Sequence, residues 1–133
     1  MEERVKELSK YRFENSLESL KDAKIMLENE RYKNALNRGY YAIFHAIRSV
    51  NALDGFDSSK HSGVTSHFNQ NYIKTGILPK ELSKIVKLAS ENREKADYLD
   101  FFIASREEAI NQVHRAENFL NAIRSYLEEQ DVL

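Results

Sequence analysis

The stretch Leu36-Asn37-Arg38-Gly39-Tyr40-Tyr41-Ala42-Ile43-Phe44-His45-Ala46-Ile47-Arg48-Ser49-Val50 holds no proline, and its apolar residues recur at intervals of three and four. That period belongs to an α-helix, not to a strand, whose side chains alternate. Projecting Tyr32–Leu53 at about 100° per residue gives three stripes. Leu36, Tyr40, Ile43, Ile47 and Val50 share one face, the expected core stripe. Ala35, Gly39, Ala42 and Ala46 line up beside it as a small-residue stripe, where a neighbouring helix can come close. Asn34, Arg38, Tyr41 and His45 make the third. Two turns separate Arg38 from His45 and leave them only about 20° out of line. The helix is thus apolar or small over most of its circumference, with an arginine and a histidine set into the remaining strip.

Outward from this segment the helical period continues. A first helix is expected from near Glu2 to about Glu30, with Phe13, Leu17, Leu20 and Leu27 on one stripe. The second covers Tyr32 to Leu53 and stops at the turn dipeptide Asp54-Gly55. A polar loop, Asp57-Ser58-Ser59-Lys60, leads to a brief helix from about Ser62 to Tyr72, which Lys74-Thr75-Gly76 ends. Pro79 suits the first turn of a fourth helix carrying Leu82, Ile85, Ala89, Ala96 and Leu99 on its inner face. The last helix opens with a Ser105/Glu108 capping box and places Ala109, Val113, Ala116, Leu120, Ile123 and Leu127 at alternating spacings of four and three. The expected fold is all-α: an antiparallel up-down four-helix bundle with one additional short helix, in a single domain over residues 1–133.

Composition narrows the function classes. A chain of 133 residues leaves no room for a second sizeable core. One proline and four glycines argue against collagen-like, linker-rich and most all-β folds, which need more turns. Twenty basic against twenty-one acidic side chains exclude a polycation that binds nucleic acid or membrane by bulk charge, though not a local basic patch. Without cysteine there is no disulfide, thiolate metal site or cysteine nucleophile. Met1-Glu2-Glu3-Arg4 lacks the apolar core of a signal peptide, and the longest aliphatic-aromatic run, Tyr40–Phe44, is far too short for a bilayer. A cytoplasmic protein with no membrane association is expected.

The Arg38/His45 strip carries the clearest chemistry. A guanidinium fork grips phosphate oxygens, and an imidazole titrating near neutrality can move a proton on a ribose hydroxyl or a leaving oxygen. A structural alternative stands beside it, in which Arg38 pairs with a carboxylate and His45 caps a backbone carbonyl. Arg93 falls on the core stripe of the fourth helix with Asp97 one turn later, either as an ion pair or as a wall of the Arg38/His45 site. His61 stands at a helix start, to cap it or to help bind an anion there. Lys84, Lys87, Arg93 and Lys95 read as a solvated face, and Tyr40, Tyr41 and Tyr72 as core aromatics or base-stacking rings. His61 and His67 lie about 120° apart around a helix and cannot share a metal. No metal-ligand spacing, phosphate-cradling glycine loop or serine elbow occurs, so neither a metal nor another cofactor is expected.

The segment Asn37–His45 resembles the signature helix of HEPN domains (higher eukaryotes and prokaryotes nucleotide-binding), whose motif is an arginine and a histidine separated by four to six residues. Lys60-His61-Ser62-Gly63-Val64, with Phe68 and Lys74-Thr75-Gly76 after it, and Arg93-Glu94-Lys95-Ala96-Asp97-Tyr98 resemble the small stand-alone branch of that family. The likeness spans roughly Tyr11 to Tyr126. It implies a helical bundle, usually dimeric, and often a metal-independent ribonuclease toxin paired with a small nucleotidyltransferase antitoxin. It carries the catalytic roles onto Arg38 and His45; the reading of the residues themselves adds Asn37, Tyr41, His61, Arg93 and Asp97 as supporting or substrate-binding candidates. Ribonuclease members often have a polar residue directly after the arginine, where this chain has Gly39. The resemblance implies a homodimer in which Arg38 and His45 of two subunits face one composite site for RNA or a nucleotide. The small-residue stripe beside them is expected to be left partly uncovered in one chain. The alternative is a non-catalytic helper or adaptor that holds a nucleotide or docks on a nucleotidyltransferase.

Overall fold

The computed structural model describes residues 2–133; of the four residues read at the amino terminus, Met1 lies outside it. The described residues form helices and no strand. Helix α1 spans Glu3–Glu28, α2 Tyr32–Asn51, α3 His61–Phe68, α4 Glu81–Tyr98 and α5 Arg106–Glu129. A 3-10 turn, Ala52–Asp54, extends α2, and a π-helical turn, Asn69–Ile73, extends α3. The ends follow local chemistry. Gly55, at φ 69°, closes the turn after α2 and donates its N–H to Ala52 O. Ser105 Oγ accepts from Glu108 N at 3.0 Å, one arm of the expected capping box. Pro79 precedes α4 rather than sitting in it, and a tight turn through Pro79 O and Lys80 O leads into the helix.

Helix α2 is the centre of the assembly, packing on α1, α3, α4 and α5. Its core stripe is buried throughout, as is the whole small-residue stripe Ala35, Gly39, Ala42 and Ala46. The expectation of an uncovered small-residue surface is therefore corrected: helices of the same chain already fill it. Gly39 shows how closely they come, since a Cβ there would stand 2.9 Å from Gln112 Cγ on α5.

Two features of the core have no apolar signature. Helix α1 buries Ser9, Ser16 and Ser19 beside Phe13, Leu20 and Ala23, while the expected Leu17 and Leu27 are only partly buried. Two of the three serine hydroxyls donate to carbonyls, Ser16 to Phe13 O within the helix and Ser9 to Ser49 O of α2 at 2.7 Å. Gln112, fully buried, donates through Nε2 to Leu36 O of α2 and to Ala89 O of α4, each at 3.1 Å, and so ties three helices together. The inner face of α4 is Leu82, Val86, Ala89, Arg93 and Ala96. Leu99, expected there, is 56% exposed because the chain leaves the helix at that residue with extended backbone.

Candidate functional site

The third stripe of α2 supplies the site. Arg38, Tyr41 and His45 are half-buried along one side of the helix, as the seven-residue spacing requires. Arg38 pairs with no carboxylate among the described residues. Its Nε and one terminal nitrogen instead donate to Asn37 Oδ1 at 2.9 and 2.7 Å. Asn37 Nδ2 in turn donates to both oxygens of Asp97 on α4, at 2.9 and 3.2 Å. The guanidinium also lies 4.9 Å from the centre of the Tyr41 ring, which leaves it oriented without neutralising it.

Arg93 and Asp97 pair within α4 and both also contact α2. Arg93 pairs with Asp97 at 3.6 Å within α4, and the two form the wall facing α2. The Arg93 guanidinium stacks over Tyr40 at 4.6 Å and lies 5.8 Å from the Tyr41 centroid. Lys84, Lys87 and Lys95 are exposed as expected, but Arg93 is 9% exposed and belongs to the interior.

The two histidines differ in their surroundings. His45 caps no carbonyl: Nδ1 is buried without a partner, which leaves Nε2 as the nitrogen open to proton exchange. Burial, and after it the charges of Arg48, Arg38 and His61, hold His45 below the ordinary histidine value. His61 does not cap α3, whose N-cap residue is Lys60. It turns back onto α2, where Nδ1 meets Tyr40 Oη at 2.9 Å and the ring stacks on Phe44 at 4.1 Å. Burial first, then Arg93, also keeps His61 below the usual range. Both imidazoles flank Tyr41, at centroid distances of 6.2 Å for His45 and 5.8 Å for His61.

The chain thus brings all seven candidates, Asn37, Arg38, Tyr41, His45, His61, Arg93 and Asp97, to one side of α2. The sequence reading missed Tyr40 and Phe44 as partners of His61, because both lie on the core stripe and nothing local marks a ring that also faces a histidine 21 residues on. Gly39, beside Arg38 in sequence, points the other way, into Gln112.

Comparison with known proteins identifies the family. The HEPN domain model matches residues 9–126, which includes every side chain just described. The chain belongs to the HEPN family. It is similar to a "UPF0332 protein" of Thermotoga maritima, 39% identical over 112 residues and covering 84% of this chain and 85% of that protein. It is also similar to two Methanocaldococcus jannaschii proteins. "Putative toxin MJ0605" is 33% identical over 84% of this chain and 83% of its own length. "Putative toxin MJ0142" is 31% identical over the whole of this chain and 90% of its own. In this HEPN chain no helix of the described residues is long and apolar enough to cross a membrane. No cluster of three histidine, aspartate or glutamate side chains there is placed to hold a metal ion.

Proposed function

We propose that this HEPN protein is a toxin-type, metal-independent RNA endonuclease of the cytoplasm, with one composite site built from the Arg38/His45 strips of two copies. The observation that carries the reading is Arg38, a half-buried guanidinium oriented by the neutral amide oxygen of Asn37, with no carboxylate to spend its charge. Such a group suits a phosphate, whose oxygens accept its remaining N–H donors as a fork. His45 is kept neutral by burial and by the neighbouring cations, so its open Nε2 is able to accept a proton. The ribose 2′-hydroxyl gives up that proton and attacks phosphorus, the bond to the 5′-oxygen breaks as that oxygen takes a proton back from the imidazolium just formed, and a cyclic phosphate end and a 5′-hydroxyl remain. Arg38 stabilises the charge that develops on the phosphate oxygens. DNA, lacking the 2′-hydroxyl, is left intact.

Two copies supply two arginines and two histidines to one phosphodiester, which is why the site is placed across a two-fold axis. With the small-residue stripe already covered, the half-buried polar strip of α2 is the surface that meets its copy. The four long helices in this reading make an up-down bundle around α2, and a small nucleotidyltransferase is the antitoxin partner. The relatives that carry toxin names support this reading.

Incubating the purified protein with cellular RNA in EDTA tests it. Cleavage should persist in EDTA, and His45→Ala should lower the rate on the order of a hundredfold or more while helicity is kept. Cleavage abolished by EDTA, or retained in full by His45→Ala, would overturn it. One observation favours a second reading, a non-catalytic helper that holds a nucleotide or docks on the nucleotidyltransferase. Gly39 faces the core, so the residue after Arg38 brings no polar group to the strip. That reading expects nucleotide or partner binding and no cleavage under any condition.

A further inference from the structure

The polar strip of α2 is by itself a weak surface for holding two copies together, because a stable interface covers about 800 Å² on each side around an apolar core. The apolar surface lies beside it, in the loop between α4 and α5. Tyr98, Phe101 and Ile103 there are 74%, 100% and 87% exposed, with Leu99 exposed among them. A fully covered aromatic side chain removes about 150–250 Å² from water, so the four together offer on the order of 500 Å², the upper end of what a monomer leaves bare. The patch is held in place. Phe102 and Ala104 of the same loop form one apolar cluster with Ala96, Leu36 and Tyr32 at the start of α2. Phe101 takes the left-handed backbone conformation, φ 60°, which phenylalanine seldom adopts. Asp97, at the end of α4, binds Asn37, so the loop stands at the N-terminal end of the Arg38/His45 strip. Asp100, in the middle of the loop, is exposed and enters no ion pair among the described residues.

The other end of the strip has the opposite character. Arg48 stands two turns after Tyr41 on the same stripe and shares Asp57 with Arg12 of α1, at 2.9 and 3.3 Å. One carboxylate between two guanidiniums leaves that end positive. Leu8, one turn before Arg12 on the same face of α1, is exposed there, with Tyr11 exposed beside it. If like ends of two strips met, Asp100 would face its own copy and the arginines would face arginines. When opposite ends meet, acid faces arginine and apolar faces apolar. We infer that two copies pack with their α2 helices antiparallel, so that the Tyr98–Ile103 loop of each seats on the Leu8/Arg12/Arg48 end of the other and Asp100 reaches the arginines. A two-fold axis through the middle of the strip makes this contact twice, as a self-complementary interface requires. The loops supply the adhesion, and the polar strip between them is left free to bind. This arrangement rests on the two-copy site proposed above and adds the surface and the orientation that build it.

Light scattering and cross-linking at micromolar concentration test it. The intact chain should run at twice its 15.5 kDa mass. Phe101→Asp/Ile103→Asp alters only exposed side chains, so helicity should be unchanged while the dimer dissociation constant rises on the order of a hundredfold or more. Ile77→Asp, at an exposed apolar residue outside the patch, should leave the dimer intact. The chain has no cysteine, so introduced thiols report contacts without background. Leu8→Cys and Phe101→Cys place thiols at opposite ends of α2, a helix of 20 residues that spans about 30 Å, and a short bis-maleimide joins them only between copies. The doubly substituted chain should give a covalent dimer, and neither single variant should. A dimer that survives Phe101→Asp/Ile103→Asp, a Phe101→Cys chain that links to its own copy, or an intact chain that is monomeric would overturn the proposal. A dimer that comes apart on the loop change yet never cuts RNA upholds the arrangement and removes the endonuclease reading alone. RNA cleavage by a dimer that the loop change leaves intact does the reverse.

Discussion

Replacing Gly39 with alanine should destabilise the protein even though alanine is the better helix former. In the middle of α2 the exchange alone is worth about 1 kcal/mol in favour of alanine. Against it stands a Cβ that would lie 2.9 Å from Gln112 Cγ, with the carbonyl oxygen and carbon of Gln112 at 3.7 and 3.8 Å. Gln112 is fully buried, and its amide is fixed at the far end by the two 3.1 Å bonds to Leu36 O and Ala89 O. To yield at Cγ it must lengthen one or both. Overpacking of this kind costs about 1–3 kcal/mol, and each bond weakened adds up to about 1 kcal/mol. The net effect in the intact protein is a loss of about 1–2 kcal/mol. In a Gln112→Ala background the obstacle is gone, and the same exchange should stabilise by about 1 kcal/mol. Urea denaturation of the four proteins, with equal slopes, measures both legs of this cycle. If Gly39→Ala stabilises the intact protein as much as it does the Gln112→Ala variant, Gln112 is not what excludes a side chain at position 39.

Other outcomes follow from the same geometry. His45 and His61 are both held below the ordinary value of 6.5, so the unfolded chain takes up protons first as pH falls. Stability should therefore decline as pH drops through about 6.5 and level off once the folded groups protonate; His45→Asn should flatten part of that decline in urea melts, and an unchanged slope would count against the burial argument. Under the endonuclease reading, Arg38→Lys should abolish RNA cleavage nearly as completely as Arg38→Ala, because an ammonium cannot hold both Asn37 Oδ1 and a phosphate as a fork. Light scattering should give twice the mass of one chain at micromolar concentration, and a monomer there would remove the composite site. Ser105→Ala should cost about 1 kcal/mol through the cap of α5, read from the same denaturation curves.

Much of the fold is a local matter and was legible for that reason. The apolar stripes of α2 and α5, the Ser105 cap and the stop at Asp54-Gly55 depend on periodicity and on backbone preferences within a few residues. The Arg38–His45 pair was legible too, because helix geometry alone puts residues seven apart on one side. Other features depend on which helix lies opposite, and no spacing reports that. The burial of Ser9, Ser16 and Ser19 follows from how closely α1 meets α2, and a hydroxyl that satisfies itself on a carbonyl leaves no hydrophobic mark. Asn37 reaches Asp97 across 60 residues of chain, and His61 finds Tyr40 across 21. Leu99 looked like core by period, yet the helix ends beneath it. Residue by residue, the sequence determined where the helices run, which stripes α2 and α5 bury, and that Arg38 and His45 share one side of α2. Only the packing of α4 and α5 on α2 decided that Arg38 would be oriented by an amide, that position 39 would admit no side chain, and that Arg93 would lie buried over the Tyr40 ring. Those outcomes are set by distances between segments far apart in the chain.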